Sequence, residues 1–456
     1  MKKEIYPNEA LRKKRFKKKN KRNKPLYLNK TNKVRREKVN KARVSEGLIP
    51  LVDSFLGDEL HPLNNKKKKI SLKNNIKISI PAKFDIFKNT EGVISSVIDI
   101  AHKIMSPNLK QINIDHRKVK ETSLGSESLL GLLVTEIIKN RRSKRGEKIS
   151  IHGRLALAGK KSRSLIENVG LVKELSGGDF QGAQEHDHEN RMHIYGKDNR
   201  YAIKTSVKGD NKSITAQEFV NYLSECLKSH KLKLSVIYES KLKACLGEVF
   251  DNVEEHCGRN KPVWFVRGYF NDVERERSLE LCVFNLGNSF FDNFNVLPDS
   301  SKIKNKALEY VNRHKKMVDP KSLFTVASLQ GSISTKSDSD PTRGHGTVTL
   351  IETFEAIYDG YKKLRGNGVG GKNAEMNIIS GETIIKFDGR YRSKIDEIEG
   401  GSEKFVMPFN AKQSLDEPPE DKYVYTMTNV KFPGVMINIR MPLYGSTVPL
   451  SGDSYE

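Results

Sequence analysis

Residues 243–257 read KACLGEVFDNVEEHC, and the rest of the chain is best read outward from them. Leu246, Val249, Phe250 and Val253 recur at helical spacing, so the stretch predicts a helix with one core-facing stripe. Glu248, Asn252 and His256 come at intervals of four and stack along one flank of that helix. Asn is a poor helix former, so Asn252 in mid-helix points to a role other than propensity. A carboxylate one turn before an amide suits a metal–nucleotide site. The amide oxygen of Asn252 can ligate Mg²⁺, a hard ion that takes oxygen ligands. Glu248 can orient or deprotonate an attacking hydroxyl or water. The alternative is a solvated helix flank, because this spacing also recurs by chance; the residues downstream weigh against it.

Downstream, residues 262–270 (PVWFVRGYF) and 278–286 (SLELCVFNL) predict strands, and the second runs into Asn285-Leu-Gly287-Asn-Ser289. Residues 302–316 predict a helix inside a long excursion. Residues 322–346, rich in Ser, Gly and Asp, predict a mobile segment. Residues 347–364 predict a helix that starts directly after Gly344-His345-Gly346. Residues 376–389 (MNIISGETIIKFDG) read as a hairpin turning near Ser380 and Gly381, and residues 432–443 (FPGVMINIRMPL) as a final strand. A helix over 215–230 opens this region, whose start falls near Ser213.

Upstream, strands at 76–82, 111–119 and 148–155 alternate with helices at 92–105, 127–142 and 162–175, which predicts an α/β domain over 76–180 with partly parallel pairing. Residues 46–75, with GLIPLVDSFLG and the lysine run Lys66–Lys69, read as a linker. Residues 181–212 read as a connector. His186, His188 and His193 stand there among acids, but their spacing matches no standard zinc site, so a polar loop is the reading. Residues 192–204 read as a hairpin around Gly196 to Asn199.

The 456 residues suffice for two or three domains, and 36% hydrophobic with 30% charged residues suits a soluble protein. The net charge of +25 is concentrated at the start: residues 1–43 hold 19 Lys/Arg against 3 acids. Such a tail, taken as 1–45, repels itself and is expected to be disordered in isolation. It is suited to neutralising phosphates, with Lys13, Arg15, Lys18, Arg22, Arg35 and Arg36 as candidate nucleic-acid contacts. A solubilising tail is the competing reading. An anionic membrane surface lacks an amphipathic stripe to support it. No apolar run approaches the roughly 18 residues a membrane helix needs, and no signal peptide is visible, so a cytoplasmic protein is expected. Cys226, Cys245, Cys257 and Cys282 show no C-x-x-C spacing and read as thiols in a reducing compartment.

The order of the C-terminal pieces resembles the GHKL ATPases, the group that includes DNA gyrase, MutL proteins, heat-shock chaperones, histidine kinases and anti-sigma-factor kinases. Over residues 213–445, Glu248-x-x-x-Asn252-x-x-x-His256 is similar to the N-box. Asn285-x-Gly287-x-Ser289 is similar to the D-x-G-x-G box, Arg343-Gly344-His345-Gly346-Thr347 to the second glycine box, and Pro433-Gly434 to the closing P-G-T strand. The resemblance implies a Bergerat-type domain at 213–450, helices on a mixed sheet, that binds ATP and Mg²⁺. Glu248 would be the general base and Asn252 the Mg²⁺ ligand. Asn285 and Gly287 would meet the base, and Gly344, His345, Gly346, Thr347 and Arg343 the phosphates. Residues 290–342 would form the lid. Asn285 replaces the family's Asp and Ser289 its second Gly, which leaves base specificity open. No P-loop pattern G-x-x-x-x-G-K-[ST] occurs. The 76–180 region resembles, more distantly, the STAS-like anti-sigma antagonists, through Asp115, Val119 and the turn Ser123 to Ser126. The family's D-S-S-G pattern is absent, so these serines read as helix caps before phosphoacceptors.

The fold expected is therefore α/β (α+β, two-layer): basic tail, STAS-like domain, Bergerat-type domain. The function expected is a slow Mg-dependent ATPase acting as a regulatory or stress/defence switch of a bacterial type, through a protein partner or an ATP-dependent homodimer. The alternatives are a serine kinase of the anti-sigma type and a non-catalytic nucleic-acid-binding protein acting through its tail.

Overall fold

The computed structural model describes residues 51–56, 73–105, 108–155 except 146–147, 161–175, 192–198, 211–228, 232–233, 263–271, 278–331, 346–365, 374–398, 402–442 and 448–449, with positions 236, 239–240, 242–244, 246–247 and 250. The basic tail, with Lys13, Arg15, Lys18, Arg22, Arg35 and Arg36, lies outside the described residues. So do His186 and His188. Among the described residues no helix is long and apolar enough to cross a membrane.

The first layers come from the upstream half. A short helix α1 (Leu51–Leu56) precedes strand β1 (Asn75–Ser79) and the two-residue strand β2 (Lys83–Phe84). The former stretch was expected as linker, but Leu51 and Phe55 are fully buried, and the Phe55 ring sits edge-on to Phe432 at 5.6 Å. Helix α2 (Thr90–Ile104) buries Val93, Ile94, Val97, Ala101 and Ile104, the three-and-four spacing that made it legible as amphipathic. Strands β3 (Gln111–Asp115) and β4 (Glu121–Thr122) lead to helix α3 (Leu124–Arg145) and strand β5 (Ser150–Arg154). Strands β1, β3 and β5 form a parallel sheet in that order. Because the order advances in one direction and each crossover is right-handed, the connecting helices fall on one face. Ile76, Ile78, Ile112 and Ile114 are the buried alternates that meet them. Helices α4 (Lys161–Val169) and α5 (Leu171–Leu175) come next, broken at Gly170.

The downstream half is built on a seven-stranded sheet. Its strands are β6 (Met192–Asp198), β8 (Val263–Asn271), β9 (Ser278–Leu286), β10 (Glu375–Ser380), β11 (Thr383–Phe387), β14 (Val424–Thr426) and β15 (Gly434–Pro442), in the order β14-β11-β10-β15-β9-β8-β6. Two small pairs stand outside it: β7 (Leu232–Lys233) with β16 (Val448–Pro449), and the hairpin β12 (Lys394–Ile398) with β13 (Ser402–Val406). Every pairing in the large sheet is antiparallel, so the mixed sheet expected of this region is not what forms. Strand β6 runs straight through Gly196 to Asp198 along β8, in place of the hairpin turn expected there, and so the stretch read as connector supplies an edge strand.

One face of this sheet carries Trp264, Val266, Leu281, Val283, Ile378 and Ile439. Onto it pack helix α6 (Asn211–Lys228), Leu246 and Phe250, and helices α8 (Lys302–His314), α9 (Pro320–Ser328) and α10 (Gly346–Arg365), the last three preceded by the short α7 (Phe290–Asn295). The first part of the stretch expected to be mobile is therefore helix α9, with Leu323, Val326 and Ala327 fully buried and Pro320 at its start, capped by Asp319. Residues 290–331 pack into the core as helices, which is not the arrangement expected of a lid. The apolar residues of α8 and α9 have no water-free place to go except that face.

The other face sets Phe265, Phe284, Ile379 and Met436 beside buried charged and amide side chains, and it is covered by the upstream half. Arg440 on β15 donates from Nε to Glu280 Oε1 (2.9 Å), from Nη1 to Glu375 Oε1 (2.6 Å) and from Nη2 to Asp85 Oδ2 (3.3 Å). Arg267 on β8 donates from Nε and Nη2 to Glu174 Oε1 on α5, at 3.1 and 2.9 Å. Leu124 N–H, opening α3, donates to Glu280 Oε2 at 2.8 Å, and Asn377 Nδ2 donates to Ile86 O at 3.0 Å. Buried charges require such partners, because each one otherwise forfeits its hydration. The upstream half is thus a cover on the sheet, and residues 51–456 make one compact unit. The whole is a mixed α/β structure with helices and several sheets.

Candidate functional site

The turns that end strands β9 and β10 and begin β15 meet at one end of these three central strands of the seven-stranded sheet. Asn285 is buried at the end of β9, directly opposite Val435. Its Oδ1 accepts from Val435 N at 3.1 Å. One face of that amide oxygen is therefore spent on the sheet, and its second lone pair and the Nδ2 donors remain for other partners. Gly287 comes next with φ of 149°, in the region that favours glycine, and its N–H donates to Pro433 O at 3.0 Å. Gly434 has φ of 144°, and a Cβ there would lie 2.2 Å from Asn285 O. The two glycine turns thus fit only against each other.

The β10–β11 turn closes the cluster. Gly381 N–H donates to Gly434 O at 3.0 Å, and Phe432 N–H donates to Gly381 O at 2.8 Å. Phe290 N–H donates to Ser380 Oγ at 2.8 Å. Ser289, buried, is the N-cap of α7: its Oγ accepts from Asp292 N, and Asp292 Oδ2 accepts in turn from Ser289 N at 2.9 Å and from its hydroxyl at 2.7 Å. This is a reciprocal cap, so the hydroxyl that stands in the family's glycine position is committed to the helix start. Burial opposes ionisation of Asp292, yet the Ser289 hydrogen bonds and Lys431, 3.5 Å away, hold its carboxyl below the usual carboxylate range.

Of the residues singled out in the sequence, the structure brings together Asn285, Gly287 and Ser289, and joins them to Pro433 and Gly434. Gly346 and Thr347 open helix α10, which Val348, Leu350, Ile351 and Phe354 seat in the core. Glu248, Asn252, His256, Arg343, Gly344 and His345 lie outside the described residues. Near the first of these, Leu246 and Phe250 are fully buried, as the helical stripe required, and Phe250 stacks on Trp264 of β8 at 5.2 Å. Among the described residues no group of three or more His, Cys, Asp and Glu is placed to hold a metal ion. Ser123 and Ser126 are both fully buried. Ser126 Oγ accepts from Ser123 N at 3.2 Å at the start of α3, in keeping with the capping role expected of it, whereas Ser123 Oγ accepts from Ile86 N at 3.0 Å and so ties the helix start to the residue beyond β2 in place of capping the helix. Sequence reading passed over Asp292 and Lys431, although Ser289-x-x-Asp292 is a capping pattern with a carboxylate at its third helical position.

Neither a family model, nor a curated protein, nor a solved structure matches the chain.

Proposed function

We propose that residues 213–445 form a Bergerat-type nucleotide site that binds Mg-ATP and hydrolyses it slowly, with the bound nucleotide controlling a contact to a partner or to a second copy. The observation that supports this most directly is the Gly287 N–H to Pro433 O hydrogen bond. It brings together two stretches far apart in the chain, each of which the GHKL resemblance singled out separately. The base would lie against Asn285 and Gly287, where the absence of a Cβ leaves the backbone open to a flat ring. The phosphates would lie toward the start of α10, whose first N–H groups have no partner within the helix. Asn252 would take Mg²⁺ and Glu248 would orient the attacking water. Phosphotransfer to the chain's own Ser123 or Ser126 is disfavoured, since both hydroxyls are buried and bonded.

The test is calorimetric titration with ATP, ADP and GTP in the presence of Mg²⁺, on wild type, Asn252→Ala and Glu248→Gln. Micromolar ATP binding that is lost in the first variant, with turnover lost but binding kept in the second, supports the site. Absence of binding by every nucleotide, or turnover unchanged in Glu248→Gln, overturns it.

A further inference from the structure

The parallel sheet β1-β3-β5 keeps one face bare among the described residues. Parallel sheets are almost always covered on both faces, so a bare one marks a surface that something else covers. The composition of this face says what. Asn75, Gln111 and Asn113 form a closed ring of amides: Asn75 Nδ2 donates to Gln111 Oε1 (3.3 Å), Gln111 Nε2 to Asn113 Oδ1 (3.2 Å), and Asn113 Nδ2 to Asn75 Oδ1 (2.7 Å). Each amide nitrogen keeps one further hydrogen to donate outward. Lys77 and Arg154 flank the ring, both exposed, in a dish of about 310 Å³. The face's carboxylate, Asp115, is held in a two-pronged pair by Arg117, at 2.9 and 2.7 Å, and that guanidinium holds its pKa far below the usual carboxylate range. Ser79, Ser150 and His152 complete the outward positions in register.

We infer that this face docks double-stranded nucleic acid. Cores of protein–protein interfaces are apolar and aromatic, whereas these outward side chains are all polar or charged, with the His152 ring the one aromatic among them. Interfaces with nucleic acid are polar and positively charged, as this one is once Asp115 is neutralised. Strand geometry puts Lys77 and Arg154 about 12 Å apart, two strands across and two residues along, which spans two phosphates and not one. A single strand presents unstacked bases and is held by stacking on successive aromatic rings, and the outward positions of this face offer the single ring of His152; a duplex keeps its bases stacked and offers phosphates and groove edges. The chain's own basic tail carries the same sign of charge as this face and so offers it no charge complement.

The experiment is fluorescence anisotropy on the full chain with a labelled DNA duplex, an RNA duplex, the matching single strand and polyglutamate, over a salt series. The variants are K77E/R154E, the milder K77Q/R154Q, and a tail control, K18E/R22E. The expected result is duplex binding that K77E/R154E weakens about tenfold or more, with the log–log salt slope reduced by about 1.8 for two lost phosphate contacts. K77Q/R154Q gives the same slope change at a smaller loss, and the unfolding midpoint of both stays at the wild-type value. Duplex binding unchanged in both face variants but lost in the tail control overturns the inference. Polyglutamate bound with the same sensitivity while neither duplex binds overturns it in favour of an acidic protein. No binding of either duplex by wild type at any salt concentration in the series overturns it as well.

Discussion

Gly434→Ala tests the candidate site at its tightest point. At φ of 144° a residue with a Cβ is strained, and the added carbon would sit 2.2 Å from Asn285 O, 3.0 Å from Asn285 C and 3.1 Å from Gly287 N. All three are backbone atoms in paired strands, so none can swing aside as a side chain would. The backbone strain costs about 1–3 kcal/mol. The forced overlap adds about 1–3 kcal/mol more, and the two share one relaxation, so a total of about 2–5 kcal/mol is expected. Relaxation means moving the start of β15 away from β9, which breaks the Gly287 to Pro433 hydrogen bond and opens the Asn285 turn. Urea unfolding measures the stability loss, and calorimetry with Mg-ATP measures the loss of binding. Gly153→Ala is the control: it is exposed, a Cβ there meets nothing within 4 Å, and it should stay within about 0.5 kcal/mol of wild type. A Gly434→Ala protein as stable as the control refutes the packing argument. A destabilised protein that still binds ATP with wild-type affinity refutes the placement of the nucleotide.

Other consequences arise from the two polar clusters. Arg440→Met strips the cation from three carboxylates, Asp85, Glu280 and Glu375, and is expected to cost about 3–5 kcal/mol in denaturant unfolding; a cost below about 1 kcal/mol would mean the cluster is not closed to water. Burial raises the pKa of both Asp85 and Glu375 against the opposing pull of Arg440, so their contribution to stability is full below the unfolded carboxylate pKa and is lost as pH rises through the raised folded values. Glu375→Gln should flatten the stability–pH curve just above the ordinary carboxylate range, and identical curves for variant and wild type would refute it. Asp292 has the opposite sign: its lowered pKa gives stability present above the unfolded value and lost as pH falls through the folded one. Ser289→Ala removes the α7 cap and is expected to cost about 1 kcal/mol, whereas Ser289→Gly costs a few tenths and leaves nucleotide binding intact. Loss of binding in Ser289→Gly would make the hydroxyl a ligand and not a cap.

Most helices and strands were legible because their burial repeats at short period. The stripe Leu246–Phe250 and the alternation of Ile76 and Ile78 are read directly from spacing. What was not legible depended on partners distant in sequence. Residues 320–328 look like the start of a polar loop, yet Leu323, Val326 and Ala327 find the same core as α8, and the Asp319-Pro320 start was the overlooked signal. Gly196 reads as a turn, but β8 offers a partner for seven continuous residues and the chain stays extended. The short hairpin of β12 and β13 passed unread because charged residues interrupt its alternation. At the candidate site, the motif residues were read singly. Their junction was not, since the Gly287 to Pro433 bond joins turns with nothing in common in sequence.

Charged and amide side chains on the covered side of the seven-stranded sheet tie it to the upstream half. A sheet with that side in water would carry exposed polar side chains there. This one presents Arg267, Glu280, Asn377, Asn438 and Arg440, all buried. Their partners Asp85, Ile86, Leu124 and Glu174 come from β2 to α5. Without the upstream half, Arg267 would lose Glu174, Arg440 would lose Asp85, and Glu280 would lose the α3 N–H. The same geometry separates the two proposed surfaces. The nucleotide turns lie at the start of β15, the amide face lies beyond the helix layer on the outer side of β1-β3-β5, and no residue is shared between them. Substitutions at one should therefore add to those at the other without coupling, unless β15 itself shifts.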